Sequence, residues 1–131
     1  MVTRQSELLR VLGSLAEELP NPHWVALVDQ QGLVMACVPA EPEVDPDSLS
    51  AMTAASVMMG ERVLGEIDGG QLYYANVAGS NRQLLTVVLS ADRLLSIGLG
   101  PDIPARATFG PVSKWVPELM QALAKRIVTD D

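Results

Sequence analysis

The sequence holds little of what enzymes use for chemistry: one cysteine, Cys37, one histidine, His23, and aromatics at only 4% of 131 residues. A nucleophile–base pair or a closed zinc site needs more of these residue types than the chain offers. His23 stands between Pro22 and Trp24, where a turn or packing role is expected. Cys37 alone can form no intrachain disulfide, in keeping with a reducing compartment. No apolar run approaches the roughly 20 residues that span a bilayer, and Met1 is followed by polar Thr3-Arg4-Gln5-Ser6-Glu7 rather than by an apolar leader. A cytoplasmic protein with no membrane span is therefore expected.

Positive charge is also scarce. Nine Lys and Arg face sixteen acids, a net charge of −7, and no basic cluster is dense enough to neutralise a row of phosphates, which excludes nucleic acid as a partner. A phosphate-cradling loop is missing too, since Gly98-x-Gly100 lacks a third glycine and runs into Pro101 instead of a helix. Glu41, Glu43, Asp45 and Asp47 are close in sequence, but they crowd a proline-rich stretch with no rigid element to fix their separation. They read as a solvated acidic loop. No catalytic residue, metal or cofactor is expected.

What is present is a foldable core. Apolar residues make up 48% and charged residues 19% of a 14.0 kDa chain, the composition of one globular domain over residues 1–131. Leu8, Leu12, Leu15 and Leu19 recur at helical spacing over residues 6–19, and Pro20-Asn21-Pro22 ends that helix. Residues 24–28 and 33–38 are β-prone runs separated by Asp29-Gln30-Gln31-Gly32, a hairpin signal. Three prolines between 39 and 46 forbid further sheet, and Asp47 or Ser48 is placed to cap the next helix, over residues 49–64, where Gly60 is the weak point.

That second helix has no clear polar face. Leu49, Met52, Met59 and Val63 form one stripe, while Ala51, Ala54, Ala55, Val57, Met58 and Leu64 spread small or apolar surface around the cylinder. Such a helix is buried on more than one side. A single sheet covers one side, so either another helical layer of this chain or a partner covers the other.

Residues 72–77, 83–89 and 94–99 predict three further strands in a meander, with Gly79-Ser80-Asn81 as a turn. Tyr73 and Tyr74 alternate across the first of them, so at most one enters the core. Residues 100–111 read as a loop. Trp115, Val116, Leu119, Met120, Leu123 and Ile127 then mark a last helix over about 113–128, with Pro117 in its first turn. The expected class is α/β (α+β): a five-stranded antiparallel sheet sandwiched by helices, in the order α-β-β-α-β-β-β-α.

This order resembles the Roadblock/LC7 domain family. Residues 24–36, a strand ending in Asp29, a turn Gly32 and a second apolar strand, look like that family's first hairpin. Residues 47–66 look like its small-residue-rich central helix, 70–77 its third strand, and 84–99 its closing strand pair with the Asp92-Arg93-Leu94-Leu95 junction. The likeness covers about residues 5–100, and the last helix is similar to that of longer bacterial members. Gln30 and Gln31 depart from the acidic turn often seen there, and the acidic proline loop is longer than in compact members.

The resemblance implies a homodimer in which third strands join edge to edge and central helices pack together. The surfaces so implied are Met52, Ala55, Met58, Met59 and Arg62 on the helix with Leu72 and Tyr74 on the strand. It also implies a non-catalytic regulator or scaffold of a small Ras-like GTPase, one that in bacterial gliding and polarity systems can stimulate GTP hydrolysis. Arg82 and Arg93 are candidates for contact with that partner. Alternatives of another kind are a sensory module of the PAS or GAF type, which requires an internal ligand pocket, and a purely structural dimerisation unit.

Overall fold

A computed structural model describes residues 2–124. Its elements run α1 (Arg4–Glu18), β1 (Trp24–Asp29), β2 (Val34–Val38), α2 (Pro46–Glu66), β3 (Tyr74–Ala78), β4 (Gln83–Ser90), β5 (Arg93–Leu99), a 3₁₀ turn (Ala105–Thr108) and α3 (Phe109–Ala124). The strands form one antiparallel sheet in the order β2-β1-β5-β4-β3. This is the predicted α+β arrangement. Residues 125–128 of the expected last helix, Ile127 among them, lie outside the described residues.

Alternation along the central strands builds two cores, one on each sheet face. Val25, Leu27, Leu85, Leu95, Ile97 and Leu99 point one way and pack under Leu8, Val11, Leu12 and Leu15 of α1 and Val112 and Leu119 of α3. Trp24, Ala26, Val28 and Leu94 point the other way, under Leu49 of α2. Because β1 and β5 are covered on both faces, they read as continuous apolar runs.

Three boundaries differ from expectation. The cap of α2 is Asp45, whose Oδ2 accepts from the Ser48 N–H at 3.1 Å, with Pro46 in the first turn. Asp47 and Ser48 lie inside the helix. Part of the expected 100–111 loop is ordered as the 3₁₀ turn and the start of α3, so Pro111 is in the first turn of α3 and Pro117 in its interior. Pro117 is tolerated there because it lies on the exposed side, where water can reach the Ser113 carbonyl left without a donor. β3 starts at Tyr74, which leaves Leu72 in the preceding connection.

Two glycines permit close approaches. Trp24 pairs with Gly98 across β1 and β5, and its ring lies where a side chain at 98 would be: a Cβ there would sit 2.5 Å from the indole. At Gly60 a Cβ would meet Leu72 at 3.0 Å. The apparent weak point of α2 is where the connection into β3 packs against the helix.

Candidate interaction surface

The α2 layer is held to the sheet by a narrow strip. Leu49, Ser50 and Thr53 are its buried residues. The Thr53 hydroxyl donates to the Leu49 carbonyl at 2.8 Å and lies 2.9 Å from Ser96 Oγ, which also accepts from the Trp24 indole N–H at 3.0 Å. This hydroxyl pair fixes α2 over the middle of the sheet. Helix-layer contacts of α2 go to strands, whereas α1 and α3 pack against each other on the opposite face. No second helical layer of the described chain covers α2.

The outer surface of α2 is consequently apolar and open. Met52 is 59% exposed, Met58 70%, Met59 61% and Val63 50%. Ala55 and Arg62 are exposed on the same cylinder. Beside them runs β3, the outermost strand on that side, with Val77 60% exposed. These side chains leave apolar surface open along α2 and the neighbouring strand.

Two members of the expected surface are placed differently. Leu72 is buried, packed on Gly60 within its own chain, and is not available to a partner. Tyr74 is exposed in part but belongs to the opposite sheet face: it pairs with Val87 and its ring lies 4.9 Å from that of Phe109 in α3. Tyr73, one residue before the strand, is the more exposed of the two. Val77, which sequence reasoning passed over, takes the place of Leu72 on the α2 side. Alternation from Tyr74 would have put it there.

Arg82 and Arg93 are not brought together. They flank opposite ends of β4, a separation of roughly 25 Å at strand rise. Arg82 is engaged, with its guanidinium over the Trp24 ring at 5.7 Å and an ion pair to Glu43 at 3.1 Å. That pair ties the acidic loop across the end of the sheet. Arg93 pairs with Asp92 at 3.1 Å.

Two clefts open along α2. The larger, about 680 Å³, lies between Ala54, Val57, Met58 and Glu61 and the β4–β5 end of the sheet. The smaller, about 290 Å³, is lined by Trp24, Leu49, Met52, Val77 and Leu84. Among the described residues no group of three or more His, Cys, Asp or Glu side chains is gathered as a metal site needs. Burial raises the Cys37 thiol above its ordinary value, which disfavours the reactive thiolate. His23 is half-buried, and its backbone N–H donates to the Gly98 carbonyl at 2.7 Å.

The hairpin turn explains itself physically. Asp29 Oδ1 accepts from the backbone N–H groups of Gln31 and Leu33 at 2.9 and 3.0 Å, and Gly32 supplies a φ of 82°.

The sheet is flanked by one helix on one face and two on the other, with an open central helix beside an edge strand, an α+β architecture with two helical layers. The Roadblock/LC7 domain profile matches residues 10–96, and the chain belongs to that family. Its fold is similar to that of MglB from Myxococcus xanthus, with a TM-score of 0.78, 18% identity, and 96% of each chain covered. A Roadblock/LC7 domain from Streptomyces avermitilis gives a TM-score of 0.78 at 16% identity, covering 89% of this chain and 98% of that one. The gliding protein MglB of Thermus thermophilus gives 0.77 at 14% identity, covering 93% and 92%. Among curated protein sequences none matches significantly. Among the described residues no helix is long and apolar enough to cross a membrane.

Proposed function

We propose that the chain is a non-catalytic, cytoplasmic homodimeric regulator or scaffold of a small Ras-like GTPase. The observation that carries this is the exposed Met52–Met59–Val63 surface of α2 beside the open edge of β3. Two copies joined through β3 and α2 would cover that surface and remove an edge that otherwise invites aggregation. Membership of the Roadblock/LC7 family and likeness to gliding-protein folds support the GTPase context.

Stimulation of hydrolysis fits this composition without an arginine finger, by repositioning the partner's own water-orienting residue. Arg82 and Arg93, both engaged within the chain, contribute contact rather than catalysis. The interface consists of Met52, Ala55, Met58, Met59, Arg62 and Val77, with Tyr74 at its margin. The sensory alternative requires an enclosed ligand cavity, whereas the two clefts beside α2 open at the surface.

Light scattering of the wild type and of Met59→Glu tests the assembly. A dimer that the buried charge splits supports the reading, and a wild-type monomer overturns it. Hydrolysis by candidate small GTPases, assayed with wild type and with Met59→Glu, then separates activator from scaffold.

A further inference from the structure

The two clefts beside α2 differ in charge. The larger is lined by Glu61 and by no cation, whereas the smaller, about 290 Å³, has Arg82 as its one charged lining residue. Trp24, Leu49 and Leu84 form the covered side of the smaller cleft, and Met52 and Val77 its exposed rim. Gln83 borders it too, but its amide is engaged by Asn76 and by the Gly100 and Ile103 carbonyls, toward the other sheet face. Apolar walls with one placed polar group are the usual build of a small-molecule site, and this volume falls at the small end of the range of about 300–1,000 Å³. An open mouth suits a ligand that buries an apolar body and keeps a charged head at the surface.

Arg82 sets the sign of that head. Its guanidinium lies over the Trp24 ring at 5.7 Å, and only Nη2 has an acceptor among the described residues, Glu43 Oε2 at 3.1 Å. The Glu43 side chain is 82% exposed against 35% for Arg82, so water screens the pair and it exchanges easily. The next residue, Val44, lines the cleft and packs against the Trp24 core. Glu43-Val44 therefore lays a carboxylate on the cation and an apolar side chain in the cleft, and shows what kind of molecule satisfies both.

We infer that this cleft binds a small carboxylic acid with an aliphatic or aryl body. The carboxylate takes the place of Glu43 on Arg82, in the paired N–H geometry that a guanidinium offers a carboxylate, and the body lies against Trp24, Leu49, Met52 and Leu84. An amine of the same shape is repelled by Arg82, and a neutral molecule leaves Glu43 in place. All the lining residues belong to one protomer, so the inference rests neither on dimerisation nor on a GTPase. Met52 and Val77 are also part of the surface proposed for a second copy, which makes that copy the rival occupant.

The test is a titration of the whole ¹⁵N-labelled chain with octanoate below its micellar range, beside octanol and acetate as the tail and the head alone. The two indole N–H signals serve as site and control, since Trp24 lines the cleft and Trp115 packs on the opposite sheet face. Octanoate should shift the Trp24 signal and the amides of Met52, Val77 and Leu84, leave Trp115 unmoved, and half-saturate at about 1 mM or below. Octanol should bind about tenfold more weakly, and acetate should shift none of these signals. Arg82→Gln should bring octanoate down to the level of octanol. Glu43→Gln, at an exposed position, should tighten octanoate about two- to threefold by removing the internal competitor, a gain that a merely structural ion pair would not give. Equal affinity for octanoate and octanol, no gain with Glu43→Gln, or no Trp24 shift at millimolar octanoate overturns the proposal. So does a Trp24 signal that moves with protein concentration and ignores octanoate, which would give the cleft to a second copy.

Discussion

The two helical layers of this molecule solve the same problem differently. On one face α1 and α3 close over the sheet and over each other, clamped by Glu18, whose carboxylate accepts from Lys114 Nζ at 2.9 Å and from the Trp115 indole N–H at 2.6 Å. On the other face α2 stands alone, fixed by Leu49, the Thr53–Ser96 hydroxyl pair and the Gly60–Leu72 approach. The first layer is complete within one chain. The second leaves the large apolar side chains Met52, Met58, Met59 and Val63 open at its outer surface.

Four perturbations would break or sharpen this contrast. The largest effect is expected in the closed layer: Leu12→Ala, at a fully buried position, should cost about 2–5 kcal/mol in urea unfolding. Gly98→Ala, on the α2 side, pushes a methyl group into the Trp24 ring and should cost about 1–3 kcal/mol by the same measurement. Thr53→Val removes the hydroxyl that faces Ser96 and should cost about 1 kcal/mol, since Ser96 keeps its bond from Trp24. Met59→Glu, on the open surface, should change protomer stability by less than about 0.5 kcal/mol while altering assembly. If Met59→Glu destabilised the protomer as Leu12→Ala does, the two layers would not differ as described. Unfolding of all four variants is compared with the wild type at one fixed protein concentration.

The clamp between α1 and α3 adds a small pH dependence. Hydrogen bonds from Lys114 and then Trp115 hold the Glu18 carboxyl below its usual value. A lowered carboxyl stabilises the fold above the ordinary carboxylate range, and that contribution fades as pH falls through the lowered value. Lys114→Met should flatten this acid limb slightly in a pH series of urea midpoints.

The legible parts of the sequence were those where one periodicity ran uninterrupted. The α1 leucine stripe, the doubly apolar β1 and β5, and the Asp29–Gly32 turn each carry a single unambiguous signal. The unfinished face of α2 was legible as well, because too many apolar positions surrounded one cylinder. The errors fell where signals competed. Asp45-Pro46 is a cap followed by a first-turn proline, yet it sits within a run whose other prolines and acids read as loop. Pro117 suggested a helix start, although its exposed position allowed α3 to begin well before it, at Phe109. Leu72 looked like strand, and only the absence of a side chain at Gly60 turned it inward. None of these tertiary accommodations is written in local spacing.

The distribution of indoles across the two layers gives the protein an optical readout of its own. The chain has two tryptophans: Trp24 lies in the core beneath α2, bonded to Ser96 and covered by Arg82, and Trp115 lies in α3 beside Lys114 and Glu18. With Trp115→Phe the remaining emission reports on the open layer, and with Trp24→Phe on the closed one. Each half of the molecule can thus be watched separately, in one cuvette and without a label, as partners are added.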